Sequence, residues 1–127
     1  MIARYVFDTG ALISAERGKE RASRFFRLAN AGRARVLVPL PVIAEWWRGR
    51  TDARQEILSA SEVVASLEAT KAAGVALARA KDVDCELTID AIVMATAALL
   101  DATVVTGDPE DFEHLAQRFP GVAVLSA

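Results

Sequence analysis

Cysteine and histidine are almost missing from this chain of 127 residues, which has one of each, Cys85 and His114. A lone cysteine excludes an internal disulfide and any multi-cysteine zinc site, leaving Cys85 as a small packing side chain. His114, beside Glu113 on a polar stretch, reads as a surface residue rather than the acid–base group of a metal-free catalytic site. Long apolar runs are missing too: the richest window, Ile89 to Leu100, contains Asp90 and Thr96 and falls short of the ~18 apolar residues that cross a bilayer. The first residues lack the basic stretch, apolar core and cleavage site of a secretory signal, so a soluble cytoplasmic protein without membrane contact is expected. No Gly-rich loop follows a predicted strand, which disfavours the nucleotide folds that cradle phosphate in such a loop. Internal repeats, low-complexity tracts and linkers are also absent, so a single domain over residues 1–127 is expected.

Hydrophobic residues make up 53% of the sequence and charged residues 25%, a globular balance that excludes disorder. The net charge of −2 hides an asymmetry. Residues 1–54 hold 11 Lys/Arg against 5 Asp/Glu, while the remainder holds 4 against 12. A basic part can grip a phosphate backbone while carboxylates elsewhere hold a cation.

Along the chain, Ile2 to Phe7 is an apolar, β-branched and aromatic run that predicts a buried strand ending at Asp8. A helix is expected over Thr9 to Glu16, with a break at Gly18. Ala22, Phe25, Phe26 and Ala29 then recur at helical spacing, with Arg21, Arg24 and Arg27 along the other side and Gly32 placed to end the helix. Val36 to Val38 predicts a second strand, and a helix starting near Pro41 carries Glu45, Trp46 and Trp47. Of the two tryptophans, one is expected in the core and the other nearer the surface, available to a partner. A helical piece over Gln55 to Ser59, a strand over Glu62 to Ala65 and a helix from Leu67 to Lys81 follow. Thr88 is placed to cap a helix over Ile89 to Leu100, whose Ile89, Ile92, Val93, Thr96 and Leu100 share a face. Thr103 to Thr106 predicts a strand, Asp108-Pro109-Glu110-Asp111-Phe112 a turn into a helix, and Val122 to Leu125 a last strand. Strands alternating with helices imply an α/β fold: a mostly parallel central sheet covered on both faces, in three layers. Ligands of such sheets gather beyond the carboxyl ends of the strands, where Asp8 and Asp108 fall.

Each acid has a plain structural alternative. Asp8, Asp90 and Asp108 stand at predicted helix starts, where a carboxylate caps free N–H groups or meets the positive end of the helix dipole. Glu45 has Arg48 three residues on as a possible partner. Capping does not explain why four acids from four separate elements fall where this topology can collect them. Carboxylates packed without a cation repel and raise one another's pKa, so such a cluster implies a divalent ion, and oxygen-only donors favour Mg2+ or Mn2+. The matching chemistry is phosphodiester hydrolysis, with a metal-activated water in line with the leaving oxygen.

The ordered set of motifs resembles the PIN domains, and among them the VapC-type toxins of VapBC toxin-antitoxin pairs. The resemblance runs the length of the chain: a strand ending in Asp8-Thr9, Glu45 on the helix after the second strand, Asp90 in Thr-Ile-Asp-Ala-Ile-Val-Met-Ala, and Thr106-Gly107-Asp108-Pro109-Glu110-Asp111-Phe112. It implies that Asp8, Glu45, Asp90 and Asp108 hold the metal, with Asp111 as an outer carboxylate and Thr9 or Thr106 orienting ligands or water. It also implies endonuclease action on structured RNA, a homodimer, and neutralisation by a VapB-like antitoxin. Gly10 departs from the small polar residue that family members often carry there. Arg21, Arg24 and Arg27 are candidates for gripping RNA phosphates, with a solvated helix face as the alternative.

Two other magnesium-binding folds fit less well. A phosphatase of the haloacid dehalogenase type needs a second Asp two residues after the first, where Gly10 stands, and a two-component receiver domain needs adjacent acids and a late lysine. The rival of another class is a non-catalytic PIN-like module that binds RNA or a protein.

Overall fold

The computed structural model describes residues 2–79 and 87–127. Cys85 and the expected helix end at Lys81 lie outside them. The elements run β1 (Ala3–Phe7), α1 (Thr9–Glu16), α2 (Glu20–Asn30), β2 (Ala34–Pro39), α3 (Leu40–Trp46), α4 (Asp52–Ala60), β3 (Ser61–Val64), α5 (Leu67–Arg79), α6 (Thr88–Leu100), β4 (Thr103–Thr106), a 3-10 turn (Pro109–Phe112), α7 (Glu113–Ala116) and β5 (Val124–Ser126).

The five strands form one sheet in the order β3-β2-β1-β4-β5, and every pair is parallel. Each strand therefore needs a crossover to reach its neighbour, and the helices that supply the crossovers cover both faces. Strand residues read accordingly as near-continuous apolar runs. Adjacent side chains on β1 point to opposite faces, and both Val6 and Phe7 are fully buried. On one face Phe7 meets Phe25 and Phe26 of α2 edge-on, with ring centroids 5.6 and 5.1 Å apart, and Tyr5 adds a third such contact to Phe25 at 4.6 Å. These are the favoured edge-to-face arrangements of aromatic quadrupoles.

Helix α2 follows the sequence expectation. Ala22, Phe25 and Phe26 are buried while Arg21, Arg24 and Arg27 are exposed. Gly18 and Gly32, at φ +72° and +71°, turn the chain before and after it, in a region that side chains with a Cβ rarely adopt. Helix α6 differs from the expectation of a single apolar face, because Ala91 to Ala97 are buried without interruption. It lies between α5 and strands β1, β2 and β4, and a stretch enclosed on all sides, as Ala91 to Ala97 is, has no need of a polar stripe. Thr88 is its first helical residue rather than its cap; the capping position is Leu87. The short strand expected at residues 62–65 is real and pairs with β2, Val63 lying beside Val38. The last strand starts two residues later than expected, at Val124. Trp46 is buried and Trp47 half-buried, the two rings crossing at 74°. Among the described residues no helix is long and apolar enough to cross a membrane.

Because Phe7 joins sheet and α2 through two ring contacts, Phe7→Ala leaves a cavity at the centre of this layer. It is expected to cost about 3–5 kcal/mol, read as a lowered urea midpoint with an unchanged slope; a loss under ~1 kcal/mol would contradict the packing described.

Candidate active site

The strand order reverses between β1 and β4. Sequence neighbours to one side run outward through β2 and β3, and β4 begins the other half. At such a switch point the crossovers leave in opposite directions and open a crevice at the carboxyl edge of the sheet. Tyr5, Val6 and Phe7 of β1 lie in register with Thr103, Val104 and Val105 of β4, so Asp8 and Thr106 emerge side by side at that edge.

Asp8 is the most constrained acid. Its backbone N–H donates to the Val105 carbonyl at 3.2 Å. One carboxylate oxygen, Oδ1, accepts from the Ala11 N–H at 2.8 Å and the Gly107 N–H at 3.4 Å, while Oδ2 accepts from the Thr106 hydroxyl. The capping role is therefore real and coexists with placement at the switch point. Asp8 is 8% exposed, and burial pushes its carboxyl above the usual range, against the lowering effect of the bonds from Thr106, Ala11 and Gly107. Thr106, fully buried, also accepts from the Asp108 N–H at 3.0 Å. One hydroxyl thus ties the end of β1 to the turn after β4.

The other acids reach the same crevice from different elements. Glu45, exposed near the end of α3, accepts from the Thr9 hydroxyl at 2.6 Å. Arg48, its possible helix partner, instead donates to the Ala44 and Trp47 carbonyls. Asp108 makes no side-chain cap bond to the turn it precedes, in contrast to its expected capping role. Asp90 is half-buried in the first turn of α6. Asp8, Glu45, Asp90, Asp108 and Asp111 all line one cavity of about 460 Å3, together with Thr9, Gly10 and Gly107.

Burial, followed by the charges of Asp8, Asp111, Glu45 and Asp108, pushes the Asp90 carboxyl up to about 7. That shift runs against the stabilising helix N-terminus, so desolvation and like charge outweigh the dipole here. The acids share a cavity without closing on a common point: among the described residues no three of them form a ready metal-ligand group.

Gly10 and Gly107 explain how closely α1 approaches the turn after β4. A Cβ on Gly107 would lie 2.9 Å from the Gly10 carbonyl carbon, and one on Gly10 would lie 3.1 Å from the Gly107 Cα. The departure at Gly10 therefore has a steric reason. Of the three arginines on α2, none lines the acid cavity, and Arg27 pairs with Glu20. His114 is exposed and also lies outside it. The cavity-lining residues that sequence reasoning missed are Arg17 and Lys19, with Ile13, Ser14 and Ile89. The signal was available: Gly10, Ile13, Ser14 and Arg17 are spaced i, i+3, i+4 and i+7, one face of the helix that Asp8 caps.

This site belongs to the class of parallel α/β proteins that gather acids at the switch point of the sheet. The PIN domain model matches residues 5–117, and the chain is a member of the PIN domain family. A search of curated proteins found no match. Among solved structures, the chain resembles VapBC2 from Rickettsia felis, crystallised bound to a DNA fragment from their promoter, with TM-score 0.69 and 16% identity over 98% of both chains. It also resembles PAE2754 from Pyrobaculum aerophilum, with TM-score 0.62 and 18% identity over 98% of this chain and 92% of the other.

The Asp90 shift has a stability consequence. A carboxyl raised from 3.8 to about 7 binds its proton more tightly in the folded chain than in the unfolded one. The fold therefore loses stability as pH rises from about 4 to about 7, and the penalty is complete above that. In chelator-treated protein, Asp90→Asn should raise the melting temperature at about pH 8, with the gain fading toward pH 4; an equal effect at both pH values would refute the shift. Separately, Gly107→Ala should force α1 off the β4 turn and cost about 1–3 kcal/mol, read by chemical denaturation. A neutral result would show that the close approach is not needed.

Proposed function

We propose that the protein is a VapC-type toxin: a Mg2+- or Mn2+-dependent endoribonuclease that hydrolyses phosphodiester bonds in RNA and is held in check by a VapB-like antitoxin. The observation that carries this reading is the gathering of Asp8, Glu45, Asp90, and the Asp108 and Asp111 pair, from four separate stretches of the chain, on one cavity at the sheet's switch point. Membership of the PIN family supports the nuclease class. The likeness to a VapBC structure supports an antitoxin as partner, and the homodimer and the cytoplasmic setting come with that reading.

A hard divalent ion fits the donor set. Every acid offers oxygen alone, and the raised Asp90 carboxyl marks negative charge that no ion pair among the described residues offsets. Asp8, Glu45, Asp90 and Asp108 would hold the ion, with Asp111 as an outer carboxylate. When bound, the ion supplies Lewis acidity to the attacking water and the leaving oxygen of an in-line displacement. The chain's own part is positional. Thr106 and the Ala11 N–H hold the Asp8 carboxylate from both of its oxygens, and Thr9 turns Glu45 inward. Such outer bonds fix ligand orientation and cost about 10–100-fold in affinity or activity when removed. Arg21 and Arg24, exposed on α2, remain candidates for RNA contact outside the cavity.

Purified protein should cleave RNA with Mg2+ or Mn2+ and stop on chelation. Asp8→Asn should lower the rate by about 100-fold or more and Thr106→Val by about 10–100-fold, with circular dichroism showing that both fold. Cleavage at the wild-type rate in chelator and in Asp8→Asn would overturn the proposal.

A further inference from the structure

Two cations share the cavity with the five acids. Arg17 closes α1, and Lys19 precedes α2 on the far side of Gly18. Both are exposed and both line the cavity. The turn at Gly18, at φ +72°, is held by the Arg17, Gly18 and Lys19 N–H groups, which donate to the Ile13, Ala15 and Ser14 carbonyls. Arg17 continues the i, i+3, i+4, i+7 row of Gly10, Ile13 and Ser14, all of which line the cavity with Asp8.

Four arginines elsewhere in the chain are taken up by ion pairs. Arg27, Arg35, Arg50 and Arg54 are each engaged by a carboxylate, of Glu20, Glu62, Asp52 and Glu16 respectively. Among the described residues Arg17 and Lys19 form no ion pair, although they border a cavity lined by five acids. Cations that face carboxylates across a gap without closing on them are placed to hold an anion lying between. The cavity has one polar side suited to a cation and one suited to a phosphate.

We propose that Arg17 and Lys19 form a phosphate subsite at the rim of the acid cavity, gripping a backbone phosphodiester of the RNA beside the one that is cut. This rests on the nuclease reading of the acids and adds to it the residues that align the strand. Arg17 offers a planar fork that matches two phosphate oxygens, and Lys19 a mobile point charge. Because neither touches the reacting atoms, they are positioning residues.

The test compares wild type, Arg17→Ala/Lys19→Ala, and the control Arg33→Ala/Lys71→Ala, two exposed cations that do not line the cavity, using a fluorescent single-stranded RNA oligonucleotide. Affinity is measured by anisotropy in Ca2+ across a salt series, cleavage kinetics in Mg2+, and Mn2+ uptake by calorimetry. Loss of two phosphate contacts should weaken RNA binding about tenfold and reduce the slope of log affinity against log salt by about 1.4. KM should rise correspondingly, kcat should stay within about threefold, and Mn2+ uptake and the control should be unchanged. Unchanged affinity and salt slope in a variant that cleaves RNA would overturn the subsite and leave the nuclease reading standing. An equal loss in the control would likewise overturn it, by showing only a diffuse charge effect. If wild type shows no metal-dependent cleavage yet binding falls with the smaller salt slope, the subsite stands and the nuclease reading fails.

Discussion

Parallel pairing of β1 with β4 sets Phe7 level with Val105, so the next residues of both strands leave the sheet together. Asp8 and Thr106, 98 positions apart in sequence, then share a buried hydrogen bond. The rest of the site depends on this junction. Thr106 passes the constraint on to the Asp108 N–H, and Asp8 passes it on to the first turn of α1 through Ala11. Gly10 and Gly107 let the two backbones come close enough for those bonds to form. A bond between buried polar groups is favoured there because each partner, left alone, would keep an uncompensated desolvation cost.

The same junction concentrates negative charge. Burial and four neighbouring carboxylates keep the Asp90 proton bound far above its ordinary range, although Asp90 sits where a helix dipole favours the anion. A fold that holds such a cluster gives up stability near neutral pH for a cavity suited to cations, a pattern common at functional sites. Arg17 and Lys19 border the cavity without neutralising it. The interior of the fold carries the cost: the Phe7, Phe25 and Phe26 ring contacts and the buried middle of α6, Ala91 to Ala97, hold the strand ends in place.

How legible each feature was depended on how local its cause is. The α2 face, the Gly18 and Gly32 turns and the first four strands follow from spacing and residue type, and the structure has them. The small β3 strand, expected over Glu62 to Ala65 and observed over Ser61–Val64, carries a weaker pattern because it is an edge strand with exposed residues. Helix α6 was read with one apolar face because its apolar residues were matched to a surface-helix template, while α5 and the sheet bury the whole middle of it. Thr88 has the chemistry of a cap, yet the helix starts one residue earlier than that role requires. The acids are legible in their order along the chain, whereas Arg17 and Lys19 stand beside the more regular Arg21, Arg24 and Arg27, which do not line the cavity.

Residue types and their local spacing were enough to establish an alternating strand and helix architecture, the apolar faces, and which carboxylates stand at strand and helix ends, since each of these follows from interactions within a few positions. The strand order, the bond between Asp8 and Thr106, the close contact of two glycines and the presence of two cations in the lining of the acid cavity were settled by the tertiary structure. They arise between segments far apart in the chain, where proximity depends on how the crossovers pack and not on any pattern along the sequence.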